Sequence, residues 1–216
     1  RILEAGSGDP LILLHGTGGH IEAYAKNIKG LSKSFRIYVV DMVGHGYTDK
    51  PDTPYTIEYY SEHLRGVIDA LGHEKVYISG ESLGGWVAAW FAAKYPEKVK
   101  SMILNTPGNV TNDPEVMKRL RDSTVKAVKE ASYENVKKRL EWLMYDKSVV
   151  TDELIEARYN IYTQKEMEKA VDHIVVLQDI EVRKQYSWDP TWCNKIQCPT
   201  LLVWTSHDPT STVEQA

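Results

Sequence analysis

Between residues 1 and 108, short and nearly continuous apolar runs alternate with longer stretches of helical period. This is the pattern of βαβ units around a mostly parallel sheet. PLILLHG (10–16), FRIYVVD (35–41), KVYISG (75–80) and VKSMILN (99–105) carry few polar interruptions, as strands do when helices cover both sheet faces. RILEAGSGDP, ahead of them, reads as a further strand closed by a Gly/Asp/Pro turn and predicts an antiparallel edge. A helix is expected over 21–30. Leu64, Val67, Ile68 and Leu71 fall at helical spacing before Gly72, which predicts an amphipathic surface helix over 57–71. From Leu83 to Tyr95 the chain is apolar almost all round, so this helix is expected to be the most deeply buried, ended by Pro96.

The pattern changes from about residue 109 to 190. Long charged helices follow one another, with apolar stripes at Met117, Leu120 and Val128, then Val136, Leu140 and Leu143, then Leu154, Ile155 and Ile161. Such stripes must be buried against something, which predicts a helical insertion packed over the core. CPTLLVW (198–204) returns to strand character as one more strand of the same sheet. The domain reading is a core of residues 1–108 and 196–216 with a helical cap over 109–195.

A chain of 216 residues, 42% apolar, can bury one full core. Its formal charge of -4 lacks the basic footprint that neutralises phosphates, so neither nucleic acid nor an anionic membrane surface is expected as a partner. No apolar run reaches the roughly 18 to 20 residues that cross a bilayer, and no charged-then-apolar leader opens the chain. Cys193 and Cys198 have no companions for a thiolate metal site, so no metal is expected. Read as reduced, they agree with a cytoplasmic location. Self-association into a homo-oligomer is left open.

The candidate chemistry centres on YISGESLGGW (77–86). Gly80-Glu81-Ser82-Leu83-Gly84 matches G-x-S-x-G with a strand before it and a helix after it, the context in which a sharp turn presents a nucleophilic serine. The Leu83 amide opens that helix and can donate to a developing oxyanion. LLHGTGGH (13–20) supplies a glycine-rich loop after the first parallel strand, with Thr17 or Gly18 as the second oxyanion donor and His15 bracing the loop. Asp208, just beyond a strand in LLVWTSHDP, fits the acid that orients a histidine. All seven histidines precede Asp208, and the expected order places the base after the acid. The chain also opens at Arg1 without methionine. It therefore reads either as a shortened version of a longer enzyme, with the catalytic histidine beyond residue 216, or as a fragment lacking activity.

HGTGG, DMVGHGYTDKP (41–51), GESLGGW and LLVWTSHD together resemble the α/β-hydrolase superfamily over essentially the whole chain. DMVGHGYTDKP and DELIEARYNIYT (152–163) look most like the meta-cleavage-product hydrolases, which cleave a carbon–carbon bond in ring-fission products of aromatic degradation. The resemblance implies a cofactor-free Ser-Asp-His hydrolase acting on a small molecule, with a further strand and helix beyond residue 216 ahead of the histidine, and with Arg158 holding the substrate carboxylate through its planar fork. Two positions depart from that pattern: Glu81 and Ala23 stand where those hydrolases often carry Asn. Serine in place of aspartate at the nucleophile separates the chain from haloalkane dehalogenases and epoxide hydrolases. Two alternatives remain, a carboxylesterase or lactonase on small acyl esters and a non-catalytic ligand-binding protein on the same fold.

Overall fold

A computed structural model describes residues 1–216. Six strands form one sheet: β1 (Ile2–Ala5), β2 (Asp9–Leu14), β3 (Phe35–Val40), β4 (Val76–Glu81), β5 (Val99–Asn105) and β6 (Thr200–Val203). Their order is β1-β3-β2-β4-β5-β6, with β1 antiparallel to β3 and every other pair parallel. The sheet is thus mostly parallel with an antiparallel edge, and the chain reverses its direction of travel across the sheet after β3. Ligand sites on open parallel sheets form at such a reversal, outside the carboxyl ends of the strands.

Period-two alternation sends the strand side chains to two faces. Ile12, Leu14, Tyr38, Val40, Val76 and Ile78 join the main core beneath α2 (Ile57–Ala70) and α3 (Leu83–Lys94). Leu11, Leu13, Ile37 and Val39 form a smaller cluster on the opposite face, closed by Ile28 and Leu31 of α1 (Ala25–Leu31). The all-round apolar pattern of α3 has its counterpart in the packing: Trp86, Val87, Ala88, Ala89, Phe91 and Ala92 are at most 1% exposed. Each fully buried Val, Phe or Trp side chain there contributes roughly 1.5–3 kcal/mol.

The helix expected over 21–30 begins instead as a 3₁₀ turn at Ile21–Tyr24. Its first turn is pinned from outside, because Ile21 N donates to Asp41 Oδ1 (2.8 Å) and Tyr24 Oη donates to the Leu14 carbonyl (2.8 Å). Between β5 and β6 lie α4 (Pro114–Lys129), α5 (Tyr133–Leu143), α6 (Asp152–Tyr162), α7 (Met167–Ile174), α8 (Ile180–Lys184) and α9 (Pro190–Cys193). Asp113, Ser132, Thr151, Asp179 and Asp189 cap five of these helices by accepting first-turn amides, a contribution of about 1 kcal/mol each. Of the stripe residues, Met117, Leu120, Val128, Val136, Leu140, Ile155 and Ile161 are buried, while Leu143 and Leu154 are half-buried. No helix is long and apolar enough to cross a membrane, and both cysteines are free thiols.

β6 differs from a strand covered on both faces. Leu201, Leu202 and Val203 are 56%, 53% and 38% exposed. The strand pairs only with β5, and no helix of the chain covers it.

Candidate active site

Ser82 stands where β4 hands over to α3, with φ 50° and ψ -116°. Three hydrogen bonds hold this left-handed backbone. Its N–H donates to the Asn105 carbonyl (3.0 Å), and its carbonyl accepts from Gly108 N (2.8 Å) and Trp86 N (3.1 Å). The flanking glycines are steric necessities. A Cβ at Gly80 would lie 2.2 Å from Gly84 O, and one at Gly84 would lie 2.2 Å from Leu14 O. No side chain caps α3, so its first amides are left for another acceptor.

The loop after β2 closes on this turn. His15 Nδ1 lies 2.8 Å from the Gly16 carbonyl, and Nε2 accepts from Met42 N (3.1 Å). The imidazole is therefore the neutral Nδ1–H form with both nitrogens in use. Burial pushes its pKa down to about 3, so His15 braces the loop and offers Ser82 no base. Thr17 lines the cavities that reach Ser82, whereas Gly18 lines neither. Gly18 instead has φ 70°, and its carbonyl accepts from Tyr162 Oη (2.8 Å).

Asp208 and Ser82 open on one cavity of about 290 Å³, shared with Thr17, Glu81, Arg139 and Arg158. The Asp208 carboxylate is aligned by its own turn, since Oδ1 accepts from Thr210 N (2.8 Å), Thr210 Oγ1 (2.6 Å) and Ser211 N (3.0 Å). Arg158, on α6, is buried and donates from Nε to His20 Nε2 (3.1 Å), which leaves its two terminal nitrogens without a protein partner. His20 is fixed in turn by Glu22 Oε2 at 2.7 Å from Nδ1. The hydrogen bond to His20, together with Arg1, holds the Glu22 carboxyl down at about 2.

A family model described as the alpha/beta hydrolase fold matches residues 9–216. The chain belongs to the α/β-hydrolase fold family. Among the relatives of this hydrolase-fold chain, a 2-hydroxy-6-oxo-2,4-heptadienoate hydrolase of Pseudomonas putida is 34% identical over 77% of this chain and 60% of its own length. A 2-hydroxy-6-oxo-6-(2'-aminophenyl)hexa-2,4-dienoic acid hydrolase of Metapseudomonas resinovorans is 30% identical over 100% of this chain and 73% of its own. The meta-cleavage product hydrolase of Pseudomonas fluorescens IP01 superposes with a TM-score of 0.84 at 27% identity, covering 100% of this chain and 79% of that one. The chain thus spans under two thirds of the first relative's length.

Two charged residues join the site that motif reading did not assign to it. Arg139 on α5 is 3% exposed, donating from Nη1 to Ser123 Oγ (2.6 Å) and from Nη2 to the Thr17 carbonyl (3.3 Å). Its signal was available, because an arginine lies between Val136 and Leu140 on an otherwise apolar stripe. Glu81 turns its carboxylate into the cavity, with Oε2 2.5 Å from where a Gly16 Cβ would stand. Asn27, one turn beyond Ala23, reaches the same cavity. No group of three or more His, Cys, Asp or Glu side chains converges here or elsewhere as a metal site.

Glu81 carries an electrostatic cost. The surrounding cavity walls, with Asp208 adding to them, raise its pKa against the pull of the Gly16 amide, Arg158 and Arg139, but the residue is exposed and solvent screens most of that cost. A carboxyl whose folded-state pKa is raised loses folded-state stability as pH climbs through its unfolded pKa, roughly 4.3, toward the folded one. Glu81→Gln is therefore expected to raise the melting temperature only slightly at pH 8 and to leave it nearly unchanged at pH 4. Calorimetric scans at the two pH values check this, and an equal shift at both would remove the ionisation argument.

Proposed function

We propose that this chain carries the nucleophile, the acid and the substrate cradle of a cytoplasmic, cofactor-free serine hydrolase that cleaves a carbon–carbon bond in a small ring-fission product of aromatic degradation. The observation that carries the reading is the single cavity onto which Ser82, Asp208 and the free fork of Arg158 all open. The curated relatives, named as hydrolases of 2-hydroxy-6-oxo-dienoates, favour the carbon–carbon bond.

In this reading Ser82 Oγ bonds to the ketone carbon while its proton passes to an imidazole, and the Leu83 and Thr17 amides receive the developing oxyanion. The carbon–carbon bond then breaks, its electron pair staying with the dienoate fragment, which takes up the proton. Water releases the acyl group from Ser82. Asp208 would orient and charge-balance the imidazole. Residues 1–216 present no such imidazole to Ser82: His15 alone lines the cavity, and both its nitrogens are engaged. The base is accordingly assigned to the region of the intact protein beyond residue 216.

Arg158 would bind the substrate carboxylate bidentately in a buried setting, where a planar fork and a point charge are not interchangeable. Arg158→Lys in the intact protein is expected to raise KM for a dienoate by about 10- to 100-fold, the worth of roughly 1.4–2.8 kcal/mol, with kcat changed less than about threefold. Steady-state kinetics on a dienoate and on uncharged 4-nitrophenyl acetate separate the cases. An equal loss on both substrates would show a structural rather than a carboxylate-binding role. The carbon–carbon reading itself is tested by comparing these two substrates with the wild type, and a strong preference for the ester would replace it with an esterase.

A further inference from the structure

A single hydrogen bond sets the direction of the arginine that faces the site. Arg158 donates from Nε to His20 Nε2 (3.1 Å), and its side chain has no other hydrogen-bond partner within residues 1–216. Arg139 and Arg183, the other buried arginines, are each held by at least two. Arginine is among the side chains with the most rotamer freedom to lose, so the aim of this fork depends on that one acceptor. Arginine has only donors, and His20 Nε2 must therefore be unprotonated. The imidazole then carries its proton on Nδ1, which faces Glu22 Oε2 at 2.7 Å. Glu22 is itself fixed by Arg1 Nη2 (2.8 Å).

His20 is fully buried, and desolvation lowers its pKa, with Arg158 adding to that and Glu22 and Asp41 opposing it. The ring is neutral at neutral pH. Its other tautomer would set Nε2–H against Arg158 Nε–H, donor facing donor away from water, which leaves both unsatisfied. Glu22 thus decides which nitrogen meets the arginine. The two ends of this contact belong to different layers, since His20 lies in the loop after β2 and Arg158 on α6. One helical turn further on, Tyr162 makes a second tie to the same loop, from Oη to the Gly18 carbonyl (2.8 Å). Loss of the His20 bond therefore leaves α6 docked and frees only the Arg158 fork.

We propose that His20 is a positioning residue for carboxylate binding: held as its Nδ1–H tautomer by Glu22, it aims the Arg158 fork into the cavity before substrate arrives. This inference rests on the reading of Arg158 as the substrate's carboxylate anchor and adds a residue that acts through it. Neither His20 nor Glu22 lines the cavity, so any effect they have on a ligand there passes through Arg158. An anchor already ordered in the free protein favours affinity, because binding does not have to order it.

The test is steady-state kinetics of the intact protein with His20→Leu, which removes the acceptor at similar volume, and His20→Gln, whose amide oxygen can take the place of Nε2. On a dienoate, His20→Leu is expected to raise KM by about tenfold or more, as loss of a hydrogen bond to a charged group commonly does, with kcat changed less than about threefold. His20→Gln is expected to stay within about threefold of the wild type in both constants, and neither variant should alter turnover of uncharged 4-nitrophenyl acetate. An unchanged KM in His20→Leu, an equal loss on both substrates, or a His20→Gln no better than His20→Leu overturns the proposal. Imidazole nitrogen NMR of the wild type is expected to show His20 protonated at Nδ1 and bare at Nε2. The reverse tautomer overturns the proposal even if His20→Leu does not fold. Arg158→Lys separates this inference from the reading beneath it. If that variant leaves KM unchanged, the anchor reading fails and this inference with it, whereas a raised KM in Arg158→Lys beside an unchanged one in His20→Leu ends this inference alone. If no dienoate is turned over, the carbon–carbon reading fails by itself, and the Kd of unreactive hexa-2,4-dienoate for the same variants decides the role of His20 by the same margins.

Discussion

Ser82→Ala is expected to lower kcat of the intact protein by at least about 10⁴-fold, since members of a nucleophile–base–acid unit act together. The fold itself is expected to persist. Ser82 Oγ takes no part in capping α3, and the bonds that hold the turn use the residue's backbone N–H and carbonyl. The positive φ of 50° is strained for alanine as it is for serine, so the change in stability stays within about 1 kcal/mol. Two measurements check this together. A fluorophosphonate probe should label the wild type at Ser82 and fail on the variant, while circular dichroism melting should overlay. Retained turnover in a variant that melts normally would remove Ser82 from the chemistry.

Gly84→Ala is expected to be among the most damaging single-methyl changes in the chain. The added Cβ would meet Leu14 O at 2.2 Å, Leu14 C at 2.6 Å and His15 O at 2.8 Å. All three are backbone atoms at the end of β2, which is paired on both sides by β3 and β4, so no rotamer change relieves the clash. The cost is expected to exceed about 4 kcal/mol, a large share of the roughly 5–15 kcal/mol that keeps a domain folded. In urea this corresponds to a midpoint lowered by about 2 M, or to no folded protein at all. Gly66→Ala in α2 is the control, because its added Cβ meets nothing within 4 Å. Helix propensity predicts that this control is stabilised by roughly 0.5–1 kcal/mol. Equal behaviour of the two variants would refute the steric account of the nucleophile turn.

The parts of the fold that could be read from the chain are those governed by local period. The runs of β2 to β5 and the all-round apolar α3 announce themselves, and so does the Gly80–Gly84 turn, because its glycines answer a clash between adjacent elements. The site is less legible, for it is assembled from five distant segments. Arg139 and Glu81 look like ordinary charges until packing places them against Thr17 and Gly16. Gly18 and Thr17 are neighbours in one loop, and only the left-handed turn at Gly18 decides which of them faces Ser82. The helix expected over 21–30 also begins differently, because its own donors bond to Asp41 and to Leu14 and reshape its first turn.

The nucleophile and the acid are held by different means. Ser82 takes its place from β4, which is paired on one side with β2 and on the other with β5, whereas the Asp208 carboxylate is gripped by its own following turn, through Thr210 and the Ser211 amide. The serine's position is thus a property of the whole sheet, and the aspartate's a property of four consecutive residues, so that a change at Thr210 would turn the carboxylate while leaving the nucleophile untouched.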